Sequence, residues 1–167
     1  MAIPTVSKMA QKKRVLQVQP FDDIVVLGIS TTLSDYKLTW YLNEALRLDL
    51  KKMPGLPGNN EEAEPFSFYY YDGGENENIF SLLQLAREGR RLLAMPVPVD
   101  YLMVVRNSIK AEDLARMLSS IRSIREVLAA WQIEPTKTKG LEPLLETLEF
   151  HELSLIRQPP PRRFRPG

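Results

Sequence analysis

Three short apolar runs, rich in β-branched and aromatic residues, constrain the fold of this chain more than any other feature. They span residues 22–30, 66–71 and 99–106. Apolar runs of this length and composition are typical of β-strands. No apolar run reaches the roughly 18 residues that a membrane-spanning helix needs. The runs therefore predict a buried sheet and exclude a transmembrane protein.

Helical periodicity separates these strands. In residues 35–48 a core-facing stripe recurs at helical spacing, formed by Leu38, Tyr41, Leu42, Ala45 and Leu46. A second stripe in residues 111–122 is formed by Leu114, Met117, Leu118 and Ile121. Pro143 in the first turn is compatible with a short third helix over 141–148. The pattern therefore predicts three helices.

The remaining segments complete the predicted topology. Residues 79–86 follow a polar turn and predict a hairpin with 66–71, and residues 126–134 predict a further strand. The Pro-Gly pairs within 51–65 predict a loop. This order indicates an α+β fold with a mixed or antiparallel sheet and helices mainly on one face. The strand–helix–strand order of residues 99–134 fits a ferredoxin-like half.

Charge divides the chain into three parts. Residues 1–14 and 157–167 hold eight of the 22 basic residues and none of the 21 acidic residues. Residues 15–156 therefore carry 14 bases and 21 acids, a net charge of −7. We expect a basic flexible segment over 1–14, one globular domain over 15–156 and an extended Pro/Arg-rich tail over 157–167, because prolines disfavour helix and sheet.

Few residues of this chain indicate catalysis, and no cofactor or metal is predicted. The chain has no cysteine, which excludes disulfides, a catalytic thiol and thiolate metal sites. The single histidine, His151, has no accompanying nucleophile motif, and we interpret it as a structural residue at the end of the last element. No phosphate-binding glycine motif follows a strand. With neither an export signal nor a cysteine, a cytoplasmic location is expected.

The face of the first predicted helix that lies opposite its core stripe has an unusual composition. Opposite its core stripe lie four residues at helical spacing, and they include the types enriched at protein interfaces: Tyr36, Trp40, Asn43 and Arg47. This face either contacts a partner or packs under the predicted loop 51–65. The sequence favours neither of these interpretations over the other.

An acid lies at the start of the third strand, in Val99-Asp100-Tyr101. An acidic residue inside a strand is unfavourable unless it has a partner. We expect Asp100 to accept hydrogen bonds from backbone donors or to pair with Arg90 or Arg91. A role in binding a partner is the alternative.

These two motifs resemble the IPExxxVDY family of small bacterial proteins of unknown function. The resemblance rests on Val99-Asp100-Tyr101 and on the Asp35-Tyr36-x-Leu38-x-Trp40-x-Leu42-Asn43 helix, and it spans about residues 15–150 by order of elements. The Ile-Pro-Glu part of the pattern is not matched, because Leu93, Ala94 and Met95 stand there. The resemblance implies a bacterial cytoplasmic protein and supplies no catalytic residue.

Three hypotheses for function follow. The first is a non-enzymatic interaction or structural module whose partner is a second copy, in a homo-oligomer, or another protein. The second is a nucleic-acid accessory protein whose basic termini contact phosphates, with candidate contacts at Arg157, Arg162, Arg163, Phe164 and Arg165. The third is an enzyme with carboxylate or tyrosine chemistry at Asp100 and Tyr101.

Overall fold

The computed structural model describes residues 23–157 of the 167. Its strands are β1 (Ile24–Thr31), β2 (Lys51–Leu56), β3 (Phe66–Asp72), β4 (Ile79–Gln84), β5 (Ala86–Arg87), β6 (Arg90–Arg91), β7 (Tyr101–Arg106) and β8 (Val127–Ile133). Its α-helices are α1 (Asp35–Leu46), α2 (Ala111–Arg122) and α3 (Leu141–Arg157), and a 3₁₀ turn spans Pro135–Lys137.

Six strands form one sheet in the order β2-β3-β4-β7-β1-β8, while β5 and β6 form a separate small hairpin. Every neighbouring pair in the large sheet is antiparallel. β7 and β8 flank β1 on either side and therefore run parallel to each other, joined by α2. This is the split β-α-β arrangement of a ferredoxin-like half. The predicted α+β fold is confirmed, and so is the hairpin of β3 and β4.

Helices cover both faces of the sheet. Alternate side chains along β1 point to opposite faces, so Leu27 and Ile29 join one core cluster and Val26 joins the other. The first cluster is covered by α1 and α2, and the second is covered by α3. Two of the three helices thus share a face, and the third supplies the cover that the opposite face needs.

The loop predicted over 51–65 is wrong in its first part, because residues 51–56 form the edge strand β2. Its backbone pairs with β3, with Lys51 opposite Tyr70, and the register shifts between Met53 and Leu56. An edge strand tolerates Pro54, since one of its sides needs no donor. Gly55 is required there, because a Cβ would lie 2.7 Å from the carbonyl oxygen of Phe66.

The third helix is longer than predicted, running to Arg157 instead of ending near Leu148. Arg157 therefore lies in a helix, contrary to the extended conformation predicted from residue 157, and the rest of the predicted tail lies outside the described residues. His151 lies on this helix, half-buried, and its Nε2–H donates to the carbonyl oxygen of Pro54 at 2.8 Å.

Candidate aromatic groove

Two aromatic side chains project from α1 into solvent. Tyr36 is 65% exposed and Trp40 is 59% exposed. They line a groove of about 420 Å³, here called the aromatic groove, whose walls are Leu33, Tyr36, Lys37, Trp40, Tyr41 and Glu126. The loop predicted over 51–65 forms no part of that lining. Within residues 23–157, this face is therefore exposed to solvent.

The position of Trp40 is constrained despite its exposure. Its ring meets Tyr41 edge to face, with centroids 5.2 Å apart and planes at 82°. Tyr41 is half-buried and packs against the core cluster under α1. Edge-to-face contacts of this kind stabilise one orientation of the two rings. The groove therefore presents an ordered indole surface.

Asn43 and Arg47 do not belong to the groove. The Asn43 side chain binds the backbone of Leu50, accepting from its N–H at 2.8 Å and donating to its carbonyl oxygen at 3.3 Å. Arg47 adopts a left-handed conformation with φ of 58° that ends α1. Both residues shape the turn into β2. Of the four predicted residues, Tyr36 and Trp40 line the aromatic groove, and Asn43 and Arg47 do not.

Asp100 and Tyr101 stabilise the segment between β1 and α1. Asp100 Oδ2 accepts a hydrogen bond from the Thr31 N–H at 3.0 Å, and the Tyr101 hydroxyl donates to the Leu33 carbonyl at 2.9 Å. The Thr31 hydroxyl in turn donates to the Glu126 carbonyl at 2.8 Å. These bonds fix Leu33 and Glu126, two walls of the groove. The Val99-Asp100-Tyr101 motif therefore holds the backbone of the groove walls in place through hydrogen bonds.

Val99 and Arg91 complete this support. The Val99 side chain is buried beside Gly28, where an added Cβ would lie 3.3 Å from Val99 Cγ1. Arg91 donates to the Val99 carbonyl at 3.1 Å, and its guanidinium lies 3.8 Å from Asp100 Oδ1. The carboxylate thus has the backbone donor and the arginine that an acid at this position needs.

The surroundings of Tyr101 favour a structural role for its phenol. Burial raises the pKa of Tyr101 well above its usual value, and the nearby charges of Asp35 and Asp100 raise it further. The phenol therefore stays protonated and acts as a donor to Leu33. Neither Asp100 nor Tyr101 lines the aromatic groove.

Asp35 anchors the first turn of α1 to the sheet. The Tyr69 hydroxyl donates to Asp35 Oδ2 at 3.2 Å, and Lys52 Nζ lies 3.9 Å from the same oxygen. Burial by itself raises the pKa of Asp35, but hydrogen bonds from Ser67, Tyr36 and Tyr69 and the charge of Lys52 outweigh it, and the pKa is lowered. The ionised carboxylate also suits the N-terminal end of the helix dipole.

Sequence reasoning missed Glu126. The residue lies in the turn between α2 and β8, and its Oε1 is buried with no hydrogen-bond partner among the described residues. Nothing around it in the sequence singles it out, because its neighbours are an ordinary Arg125 and the first residue of β8. Only the fold brings it to α1.

A second groove, of about 430 Å³, lies beside the other tryptophan. It is formed by residues 94–97, by Trp131, Gln132 and Ile133 of β8, and by the segment that includes Lys137 and Lys139. Both lysines are exposed to solvent. None of its side chains has a buried polar atom without a partner, so this groove shows less sign of a missing ligand than the aromatic groove.

The residues predicted to contact nucleic acid are not described, apart from the backbone of Arg157 at the end of α3. Arg162, Arg163, Phe164 and Arg165 lie outside the described residues, as do the basic residues of the segment 1–14.

In the part of the chain that is described, no helix is long and apolar enough to cross a membrane. Within residues 23–157, no group of three or more histidine and acidic side chains is placed to hold a metal ion. Comparison with protein-family models, curated proteins and solved structures finds no match.

Proposed function

We propose that this chain is a non-enzymatic protein-interaction module that self-associates through the aromatic groove. The observation that carries the proposal is the pair of exposed aromatic side chains, Tyr36 and Trp40, on one turn of α1. Trp and Tyr are enriched among residues that dominate binding energy at interfaces. An exposed cluster of large rings is also unfavourable in water, and a second copy would bury it.

Self-association across a two-fold axis would bury the aromatic groove of each copy. In such an arrangement the same surfaces of both copies take part, so both grooves gain a partner. The edge-to-face contact with Tyr41 orients Trp40 in advance, which reduces the entropy lost on binding. The proposal is compatible with the resemblance of the chain to the IPExxxVDY family, which implies a bacterial cytoplasmic protein.

The solution mass of the full chain, measured by light scattering, tests this function. We expect wild type at about twice the 19.2 kDa of one chain, and Trp40→Glu at the mass of one chain. A charge at a buried interface position costs about 2 kcal/mol or more of binding, roughly a 30-fold weaker dimer. Trp40→Ala should shift the equilibrium in the same direction.

Phe150→Glu is the matched control. Phe150 is 75% exposed on α3, which covers the opposite face of the sheet. The same substitution there should leave the dimer unchanged. A monomeric wild type, or a Trp40→Glu variant as dimeric as wild type, would rule out the proposed interface.

A further inference from the structure

The aromatic groove contains a carboxylate that the fold does not pair. Glu126 lines it beside Tyr36, Trp40 and Tyr41, and its Oε1 is buried without a hydrogen-bond partner among the described residues. Removing a carboxylate oxygen from water is costly unless a cationic donor replaces the water. The site therefore favours a positively charged ligand.

The basic side chains near Glu126 do not form an ion pair with its carboxylate. No ion pair within 4 Å joins Glu126 to Lys37, Arg122 or Arg125 in the described part of the chain. Arg122 instead donates from Nε to the Ala130 carbonyl at 2.8 Å. Among the described residues, these neighbours therefore leave Glu126 Oε1 available to a donor from another molecule.

The surrounding rings narrow the chemistry to a guanidinium. Aromatic faces attract cations, and the planar guanidinium of arginine both stacks on a ring and donates to a carboxylate. An ammonium group is more strongly hydrated and cannot stack in this way. A groove with one carboxylate and three aromatic walls therefore fits an arginine side chain better than a lysine side chain.

We propose that the aromatic groove binds an arginine from residues 158–167 of a second copy of this chain. The proposal rests on the self-association proposed above and names the contact that drives it. The segment contains Arg162, Arg163 and Arg165 around Phe164, and no acid. The segment 1–14 has three lysines and one arginine, so it fits less well.

Charge and position both favour exchange between copies. Residues 15–156 carry a net charge of −7, which attracts an all-basic segment. The last turn of α3 lies against Met53 and Tyr70, beside the edge strand β2 and on the face opposite α1. Glu126 precedes β8, the other edge strand. A segment leaving α3 thus starts far from its own groove, and a two-fold arrangement lets each copy fill the groove of the other.

A labelled peptide with the sequence of residues 158–167 tests the proposal by fluorescence anisotropy. The receptor is the full chain carrying Arg162→Gln, Arg163→Gln and Arg165→Gln, so that its own segment does not compete. We expect saturable binding that weakens as salt is raised, and no binding of the peptide with its three arginines replaced by glutamine. Adding Glu126→Gln to the receptor should weaken binding at least about tenfold, the value of a charged hydrogen bond.

Two further variants separate the groove from general charge effects. Glu134→Gln removes an acid from the exposed surface and should leave the affinity within about twofold. Lys37→Gln removes the positive charge from the rim of the groove and should tighten binding. Both substitutions lie on the surface, so they test the site without relying on a variant whose fold is in question.

The proposal is overturned if the peptide does not bind, or if it binds the Glu126→Gln receptor as tightly as the parent. It is also overturned if the three arginine substitutions leave the mass of a dimeric chain unchanged while abolishing binding to a single-stranded RNA. A dimer that Trp40→Glu dissociates but Glu126→Gln does not would reject the arginine contact and leave the proposed function intact. Peptide affinity thus tests the arginine contact, and the solution mass tests self-association through the groove.

Discussion

Asp100 and Tyr101 are neighbours in the sequence, and both reach the backbone that joins β1 to α1. Each supplies one hydrogen-bonding group to a segment about 70 residues away, Asp100 to Thr31 and Tyr101 to Leu33. The need of Asp100 for a partner is predictable from one residue, because a carboxylate in a strand must be paired. The identity of the partner is not, since it depends on where the chain returns.

Replacing Asp100 by alanine tests this support at the residue scale. The Thr31 N–H, on a buried residue, would lose its acceptor, so the free energy of unfolding should fall by about 1–3 kcal/mol in a urea titration. Asp49→Ala is the control, because Asp49 is exposed and forms an ion pair with the exposed Lys51. Equal losses in the two variants would contradict the role assigned to Asp100.

Glu126 marks the limit of prediction at this scale. Its importance arises from an atom that the turn between α2 and β8 buries next to α1. A pattern in sequence cannot show such a contact, because the two elements are about 90 residues apart. Tyr36 and Trp40 were identified from helical spacing, since that signal lies within a single element.

At the scale of elements, a buried ion pair connects α3 to the sheet. Arg106 of β7 lies 3.0 Å from Glu152 Oε1, and both side chains are largely buried. Burial raises the pKa of Glu152, and the charge of Arg106 and the hydrogen bond from Ser81 oppose that shift only in part. The pair thus anchors the part of α3 beyond Leu148, which the sequence did not predict, to the sheet.

Arg106→Met should destabilise the protein by about 3–5 kcal/mol at neutral pH, because an unpaired carboxylate stays buried. A raised pKa for an acid means that the folded state binds its proton more tightly than the unfolded state does. The stability this provides is present below the unfolded pKa and is lost as pH rises through the folded pKa. The penalty of Arg106→Met should therefore shrink toward acid pH in urea titrations at several pH values.

The double variant Arg106→Met with Glu152→Leu is the control for that prediction. It removes both charges and should recover most of the lost stability and its pH dependence. A penalty for Arg106→Met that is the same at every pH would show that Arg106 does not affect the ionisation of Glu152 in the folded state, and would contradict the prediction.

At the scale of the whole molecule, one sheet separates two apolar cores. Leu42 and Ile121 lie in the core under α1 and α2, and Leu145 lies in the core under α3. Residues without shared partners contribute independently to stability. The two cores should therefore respond to substitution as separate units.

A double-mutant cycle checks this independence. Ile121→Val should cost about 0.5–1.5 kcal/mol and Leu145→Ala about 2–5 kcal/mol. The double variant should equal their sum within about 0.5 kcal/mol in urea unfolding. The pair Ile121→Val and Leu42→Ala, within one core, is the comparison and should deviate more. Strong coupling across the sheet would show that the two cores form one packing unit.

Local patterns by themselves determined the strands β1, β3, β4, β7 and β8, the helices α1 and α2, the hairpin of β3 and β4, and the exposed aromatic pair. These features depend on periodicity and turn residues within a few positions, which a single chain segment encodes. Tertiary structure alone decided that residues 51–56 pair with β3 and that α3 extends to Arg157. It also decided that the Asn43 side chain is hydrogen-bonded to the backbone of Leu50, and that Glu126 lines the groove. Each of these depends on hydrogen bonds or burial between segments distant in sequence, and such contacts outweigh local propensity because they exist only once the chain has folded.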